Sequence, residues 1–283
     1  MENSNLYGSN NYSGVAIQGL KDSVYDVKDN YDDSIIIIEE DPTIEEEVNH
    51  NLINLNKVAY INTQVFEKAD SLMKAGKSPI LFGGDHSIAI GTVSATSANY
   101  ENLGLIWIDA HADINSEDTT PTGNIHGMPI FFLMGEGNKK LSTIGGNKVK
   151  IKPENIVYLG LRSVDEGEVE IINRLNIKAY YYDEIEKRGL DTVLKETISY
   201  LSKCDNIHMS FDFDSMDPYV FPAVSTPVDK GFSIEDVYSI FDNILSTKKV
   251  RSIDLVEYNK YFDDQGKSLK FAMELMDFIK ERY

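Results

Sequence analysis

Cysteine is almost absent from this chain: Cys204 is the single one among 283 residues. One thiol cannot form a disulfide within the chain, and a fold without disulfides suits a reducing compartment, so we expect a cytoplasmic protein. Residues 1–13 are polar and lack the basic and apolar regions of a secretory signal. Long apolar runs are also missing. A membrane helix needs about 20 apolar residues, whereas the longest β-branched run covers only residues 35–38.

Basic residues are scarce as well. The chain has 27 Lys and Arg against 46 Asp and Glu, which gives a formal net charge of -19. Nucleic acids and anionic membranes bind to basic surfaces, so neither is expected as a partner. Solubility explains most of these carboxylates, but a few of them are clustered in a way that solubility does not require.

The organisation of the chain indicates one large domain. We find no internal repeat and no low-complexity block. Residues 1–14 form a polar tail, and residues 15–283 are predicted to form a single domain. The segment 135–154, with four glycines and five lysines, is predicted to be a long surface excursion.

Short apolar segments, rich in β-branched residues, alternate with helical patterns along the chain. Several are continuously apolar, which is typical of strands buried on both faces of a parallel sheet. The repeated order of strand and helix predicts a three-layer α/β/α fold with a mainly parallel central sheet of about eight strands. The predicted strands are 15–18, 34–38, 79–82, 103–109, 155–161, 178–182, 207–212 and 250–256.

Helices are predicted between these strands. The longest would follow Asp41-Pro42, with Thr43 and Glu46 as a capping box, and would extend to about Gly76 with a break. The other predicted helices cover residues 87–98, 190–203, 233–246 and 268–282.

Four of the predicted strands run directly into acidic or metal-binding residue types. In an open parallel sheet the carboxyl ends of the strands border one crevice, where sites collect. We therefore expect these residues to lie close together. Strand 79–82 leads into Gly83-Gly84-Asp85-His86, strand 103–109 ends at Asp109 and is followed by His111 and Asp113, strand 207–212 leads into Asp212 and Asp214, and strand 250–256 is followed by Glu257.

The spacing of these residues points to a metal centre. Asp109, His111 and Asp113 alternate with alanines, so an extended chain would place them on one face. Asp212 and Asp214 alternate around Phe213 in the same way. An aspartate at the end of a strand can equally be a helix N-cap or a turn residue.

Crowded carboxylates repel one another and lose hydration, so the cluster needs counter-charge. Two divalent cations would balance the four aspartates Asp109, Asp113, Asp212 and Asp214, and His86 and His111 would add neutral nitrogen ligands. Oxygen-rich coordination with one imidazole per ion favours two Mn²⁺ ions, with Fe, Co and Ni left open.

These motifs, in this order, resemble the ureohydrolase family, which includes arginases and agmatinases, and within it they look closest to the arginases. The resemblance implies the arginase-like α/β/α fold and a small guanidino substrate that is hydrolysed with release of urea. It also implies a homotrimer or a homohexamer. The matching segments are GGDHS at 83–87, IDAHADIN at 108–115, GNIHGMP at 123–129, GLR at 160–162, SFDFDSMDP at 210–218, Thr226-Pro227 and IDLVEYN at 253–259.

The resemblance implies a role for each matching residue. His86, Asp109, Asp113 and Asp212 would hold one metal ion. His111 and Asp214 would serve the second, with Asp109 and Asp212 shared. Asp113 would also orient the attacking water. Asp85 would act through a ligand histidine.

The implied substrate residues lie in the loops. His126 matches the proton-shuttling histidine of the family, and Glu257 matches the carboxylate that clamps the guanidinium. Asn115 and Thr122 would bind the α-carboxylate of arginine, and Asp165 would bind its α-amino group. Thr226 would line the same site.

Several alternatives remain open from the sequence. An agmatinase or another guanidino or formimino hydrolase would share the metal centre, because these substrates differ from arginine at the other end. A two-metal phosphoesterase and a non-catalytic metal-binding relative are further possibilities. The chain departs from the family pattern between residues 15 and 79, where the usual N-terminal loop is not visible. It also has Ser163 where an acid is common and Ser215 and Ser225 in place of glycines.

Overall fold

The structure is a computed structural model, and it describes residues 49–283 together with residues 38, 41 and 43–45. The described residues contain a sheet of six strands in the order β1-β6-β5-β2-β3-β4. Every neighbouring pair in this sheet is parallel. The strands are β1 (Ile80–Phe82), β2 (Leu103–Ile108), β3 (Ile156–Leu161), β4 (Lys178–Tyr181), β5 (Asn206–Asp212) and β6 (Val250–Val256).

Helices cover both faces of the sheet because the central strands are apolar on both sides. Side chains alternate along a strand, and Ile106 and Ile108 of β2 accordingly face one core while Leu105 and Trp107 face the other. The helices in the described part of the chain are α1 (Leu55–Lys74), α2 (Ala89–Asn99), α3 (Pro129–Leu133), α4 (Lys139–Ser142), α5 (Glu166–Leu175), α6 (Tyr182–Arg188), α7 (Leu190–Tyr200), α8 (Ile234–Ser246) and α9 (Lys267–Arg282).

The predicted three-layer α/β/α architecture is confirmed. Helices α2, α3 and α5 pack on the face of Trp107, and α7, α8 and α9 pack on the face of Ile106. Six of the eight predicted strands match β1 to β6 to within one residue at each end. The predicted strand 15–18, the predicted tail 1–14 and all of strand 34–38 except Ile38 lie outside the described residues.

The long N-terminal helix was predicted to begin too early. Residues 43–45 and 49–54 are not helical, and α1 begins only at Leu55. The side chain of Asn49 accepts hydrogen bonds from the backbone N–H groups of Asn51 and Leu52, at 3.0 and 3.2 Å, which fixes a turn. Asn54 then takes a left-handed conformation with φ 59°, which a helix cannot continue through. Glu46 lies outside the described residues.

Two further differences concern helices. Helices α5 and α6 were not predicted, although α5 carries the sequence of a capping box, since the side chain of Glu168 accepts from the backbone N–H of Asp165 at 3.0 Å. The predicted surface excursion 135–154 contains α4, and its Leu141, Lys150 and Ile151 are buried. The ammonium group of Lys150 donates to the carbonyl oxygen of Lys148 at 3.0 Å, so this segment folds onto itself.

The order of the strands creates a crevice between β2 and β5. From β2 the chain continues to β3 and β4 on one side, and from β5 it continues to β6 on the other. Such a reversal is where open α/β sheets place their sites, at the carboxyl ends of the strands. Ile108 pairs with Phe211, so Asp109 and Asp212 follow side by side at this point. None of the described helices has the length and apolar character needed to span a membrane.

Candidate metal centre and active site

The chain forms a turn at the ends of the two strands that carry the predicted aspartate ligands. The side chain of Asp109 accepts a hydrogen bond from the backbone N–H of His111 at 2.7 Å, and Asp212 accepts from that of Asp214 at 2.7 Å. Each is an Asx turn, in which the aspartate bonds to the backbone two residues on. The predicted extended conformation is therefore wrong for residues 109–113, although the side chains still converge. The turn role of these aspartates and their role in the cluster coexist.

Four side chains form what we call the inner group: His86, Asp109, Asp113 and Asp212. Nδ1 of His86 lies 3.0 Å from Asp109 Oδ2, 3.2 Å from Asp113 Oδ2 and 3.2 Å from Asp212 Oδ2. The side chain of His86 is 1% exposed and stacks on the indole of Trp107 with ring centroids 3.7 Å apart. His86 is thus enclosed at the sheet edge, beneath the other side chains of the group.

Three side chains form the outer group: Asp109, His111 and Asp214. Nδ1 of His111 lies 3.0 Å from Asp214 Oδ2 and 3.5 Å from Asp109 Oδ1. His111 is 27% exposed and lines the cavity above the inner group. Thr226 donates to Asp214 Oδ2 at 3.0 Å. Asp109 is common to both groups.

Both groups contain three side chains that lie close enough together to hold a metal ion. Ligand atoms of His86, Asp109 and Asp212 lie within 4.8 Å of one another, and so do those of Asp109, His111 and Asp214. Aspartate oxygens with one imidazole nitrogen per group are donors that suit a divalent cation of the manganese type. The residues present therefore fit two such ions.

The electrostatics of the cluster point the same way. Burial and the charge of Asp109 raise the pKa of Asp113 to about 6. Burial and the charges of Asp214 and Asp109 hold the pKa of Asp212 well above its usual range. Burial opposes ionisation of Asp109 too, but the hydrogen bonds of His111 and His86 outweigh it and hold the pKa of Asp109 well below its usual range. Carboxylates this crowded need either protons or cations.

A cavity of about 290 Å³ opens above these groups and contains most of the residues predicted for the site. Ten of the twelve predicted residues line it, and the other two, His86 and Asp109, are buried beneath it. The described residues around the cavity include no Lys and no Arg. They are His111, Asp113, Asn115, Thr120, Pro121, Thr122, Asn124, His126, Gly127, Ser163, Asp165, Glu168, Asp212, Asp214, Thr226 and Glu257.

Glu257 lies at the base of this cavity. Its Oε1 accepts from the backbone N–H of His86 at 3.1 Å and lies 3.6 Å from Nδ1 of His126. Its Oε2 is buried and has no hydrogen-bond partner within the described structure. A buried carboxylate oxygen without a donor is costly, so this oxygen is suited to receive an N–H group from a bound molecule.

The residues predicted to bind the α-carboxylate and α-amino groups of the substrate lie on the cavity wall. Asn115 donates to Asp165 Oδ2 at 2.9 Å, and Asn115 Oδ1 accepts from Thr119 at 2.8 Å. Thr122 accepts from the backbone N–H of Asn124 at 3.1 Å, so it fixes the turn before His126. These residues are brought together as the sequence predicted, and Asp165 additionally caps α5.

None of the hydrogen bonds described for Asp85 involves a histidine ring. Its Oδ1 accepts from the backbone N–H and the hydroxyl of Ser87, at 3.0 and 2.6 Å. It thereby caps the 3-10 turn His86–Ile88, which carries the predicted ligand His86. Burial and the charge of Glu257 raise its pKa well above the usual range.

Sequence reasoning missed three residues that support the site. Trp107 donates its indole N–H to Asp109 at 3.0 Å, and Ser210 lies 2.8 Å from Nε2 of His86. Both precede a predicted ligand by two residues on a strand, a spacing that would have placed them on the ligand's side. Glu168 accepts from the backbone N–H of Ile114 at 3.0 Å, and its capping-box position was the available signal.

Comparisons with known proteins agree with this geometry. The family model of the Arginase family matches residues 15–279. The arginase of Bacillus subtilis (strain 168) is 42% identical over 226 residues, which cover 80% of this chain and 76% of that protein. The arginase of Bacillus caldovelox is 39% identical over 266 residues, which cover 94% and 88%. Its native structure at pH 5.6 matches with a TM-score of 0.82 at 35% identity, over 96% of this chain and 92% of that chain. This chain is a ureohydrolase enzyme and belongs to the arginase family.

Proposed function

We propose that this protein is a manganese-dependent arginase that hydrolyses L-arginine to L-ornithine and urea. The observation that carries this proposal is Glu257 Oε2, a buried carboxylate oxygen with no hydrogen-bond partner among the described residues, in the cavity that Asp113, Asp212 and Asp214 also line. A guanidinium offers the planar pair of N–H donors that fits a carboxylate.

The metal ions would be held by the inner and outer groups. His86, Asp109, Asp113 and Asp212 would hold one Mn²⁺, and His111 and Asp214 would hold the second, with Asp109 and Asp212 shared. When bound, such a pair of cations supplies Lewis-acid activation of a water molecule near neutral pH. The charges support this assignment, because four aspartates balance two dications.

Glu257 would bind and orient the substrate. With four aspartates neutralised by the metal ions, the carboxylate of Glu257 is left to balance one positive charge, that of the guanidinium. Held at two points, the guanidinium carbon would stand above the inner and outer groups, and positioning of this kind lowers the barrier. The lack of Lys and Arg among the described cavity residues argues against a phosphoesterase, whose anionic substrate needs positive charge.

Two residues would handle protons and the attacking water. Asp113 would accept a hydrogen bond from the attacking water and so aim it at the guanidinium carbon. His126 stands 3.6 Å from Glu257 Oε1, next to the bound guanidinium, and would donate a proton to the departing amine nitrogen of ornithine.

The cavity wall favours arginine over agmatine. Asn115 and Thr122 would bind the α-carboxylate, and Asp165 would bind the α-amino group. Thr226 would line the same wall. Agmatine has no carboxylate, so an agmatinase would gain nothing from the Asn115 and Thr122 pair. The agmatinase remains the alternative for which the metal centre would serve equally well.

A substrate panel tests the proposal. The Mn²⁺-loaded protein is assayed for urea with arginine, agmatine, guanidinobutyrate and formiminoglutamate, and kcat/KM is compared. We expect arginine to be preferred and Asn115→Ala to lower kcat/KM for arginine while agmatine is unaffected. A preference for agmatine, or two bound ions without turnover on any of these compounds, would contradict the arginase assignment.

We also propose that the protein acts in the cytoplasm as a homotrimer or homohexamer, with residues 15–283 forming one domain. The single cysteine, Cys204, is buried and free, as suits a reducing compartment. Light scattering on the purified chain would test the oligomeric state.

A further inference from the structure

A chain of buried polar side chains runs from the inner group into the sheet, away from the cavity. Nε2 of His86 lies 2.8 Å from Ser210 Oγ, and Ser210 in turn donates to Asp254 Oδ2 at 3.4 Å. Nε2 of His208 lies 2.8 Å from the same oxygen of Asp254. All four residues are at most 1% exposed. None of Ser210, Asp254 and His208 borders the cavity, so the proposed reaction does not use them directly.

The direction of these hydrogen bonds follows from the donors available. Asp254 Oδ2 also accepts from the hydroxyl of Thr92 at 2.7 Å, and an ionised carboxylate can only accept. Ser210 has one hydroxyl hydrogen, and this hydrogen points to Asp254. The oxygen of Ser210 must then accept from His86, so the ring hydrogen of His86 sits on Nε2. With a metal ion bound, Nδ1 would then be the ring nitrogen without a hydrogen, and it faces Asp109, Asp113 and Asp212 at 3.0, 3.2 and 3.2 Å.

This tautomer is the one a metal ligand needs. A coordinating imidazole nitrogen must carry no hydrogen, and the bond made by the other ring nitrogen decides which nitrogen that is. His208 packs behind Asp254 in turn, with Nε2 2.8 Å from the carboxylate oxygen that accepts from Ser210. His208 Nδ1 lies 3.0 Å from Thr96 Oγ1 on helix α2, which holds the ring in place.

We propose that Asp254 and His208 are a positioning pair that acts through Ser210 to fix the tautomer and orientation of His86, and thereby sets the affinity of the inner metal ion. This inference rests on the proposed role of His86 as a ligand. The affinity for the inner metal ion would then depend on Asp254 and His208, which do not border the cavity.

Asp254→Asn is the test. An amide can turn its N–H₂ toward Ser210, which then donates to His86 and places the ring hydrogen on Nδ1. We expect the full-length variant, stripped with chelator and titrated with Mn²⁺, to bind the inner ion about 10–100-fold more weakly. The second ion should bind as in the wild type. Free Mn²⁺ is followed by its EPR signal. At saturating Mn²⁺ the KM for arginine should be unchanged.

Asn62→Ala is the matched control. Asn62 is a buried amide between α1 and α2 that donates to the carbonyl of Val58 and accepts from the backbone N–H of Gly91, at 3.0 and 2.7 Å. Its loss should lower the thermal midpoint and leave both Mn²⁺ affinities unchanged. Equal weakening of metal binding by Asn62→Ala and Asp254→Asn would show that Asp254 is only structural and would overturn the inference.

Ser210→Ala interrupts the same series of hydrogen bonds at another residue. It provides a second test of the inference if Asp254→Asn does not fold. It should weaken the inner ion by a similar factor, and the double variant should weaken it no further, because both changes remove one linkage. Full additivity, or wild-type affinity in Ser210→Ala, would overturn the inference. A wild-type protein that binds no pair of ions would instead overturn the proposed function.

Discussion

The inner and outer groups share Asp109 but differ in their surroundings. His86 is 1% exposed, stacks on Trp107 at 3.7 Å and is held from behind by Ser210 at 2.8 Å. His111 is 27% exposed and lines the cavity, and Asp214 beside it accepts from Thr226. His86 and the shared Asp109 therefore lie buried beneath the cavity, and His111 and Asp214 are part of the cavity wall.

The two groups would therefore serve different tasks, which are to hold a metal ion in a fixed position beneath the cavity and to face the substrate. His86 is fixed by the same packing that stabilises the sheet, so its geometry does not depend on what occupies the cavity. The outer group faces the space in which the substrate would bind, so its geometry can respond to that substrate. A change to the shared residue should damage both tasks, and changes on either side should damage one.

Asp109→Ala should have the largest effect. It removes the donor common to both groups, and we expect loss of both Mn²⁺ ions and a fall in kcat of about 10³-fold or more, because metal ions contribute several kcal/mol to the transition state. Metal content and urea release measure this. Asp191→Ala, an exposed acid on α7, is the control and should change neither. Two retained ions with normal turnover in Asp109→Ala would show that the groups do not depend on a shared ligand.

His126→Asn should lower the rate without touching either group. His126 contacts Glu257 and belongs to the cavity wall, so both ions should remain. We expect kcat to fall on the order of 10²–10⁴-fold if His126 donates a proton in the transition state. Loss of metal from His126→Asn would show that this residue of the cavity wall also contributes to metal binding.

Stability should distinguish the two histidines in metal-free protein. His86→Ala empties a buried, stacked position and should lower the free energy of unfolding by about 2–5 kcal/mol. His111→Ala removes a partly exposed ring and should lower it by about 1 kcal/mol or less. Urea unfolding in the presence of chelator gives both values. Equal losses would break the distinction between core and wall.

A pH-dependent effect concerns Glu168, which lines the wall and is 3% exposed. Burial raises its pKa to about 7 from an ordinary value of 4.5. The folded state therefore binds more protons than the unfolded state between these values, and stability falls as the pH rises from 4.5 to 7. Glu168→Gln should remove part of this slope, on the order of 1–3 kcal/mol across the window. Identical pH dependence of unfolding in both proteins would contradict the shift.

Much of this arrangement was predictable because parallel strands bring their carboxyl ends together. Asp109, Asp212 and Glu257 were placed at one sheet edge from strand patterns alone. The turn role of the aspartates was left open as an alternative, because an aspartate after a strand gives no sign of whether its side chain will bond to the backbone. The start of α1 was missed because the left-handed Asn54 depends on the neighbouring turn.

The residues behind the inner group were missed for a different reason. Ser210 and His208 sit inside an apolar strand, where a polar residue can be satisfied by any neighbour. Which neighbour it meets depends on the pairing of β5 with β2 and β6, and that pairing joins segments more than 40 residues apart. Sequence periodicity gives the side of the strand on which such a residue lies, but not its partner on another strand.

Asp113 and Glu257 have φ values of 50° and 67°. A side chain in this left-handed region costs on the order of 1 kcal/mol that a glycine would not incur. At these two positions the mutation to glycine that would relax the main chain would also delete a carboxylate to which we assign a role in catalysis. Selection for higher stability, by consensus design or directed evolution, would favour glycine at these two positions. Selection for activity would oppose it.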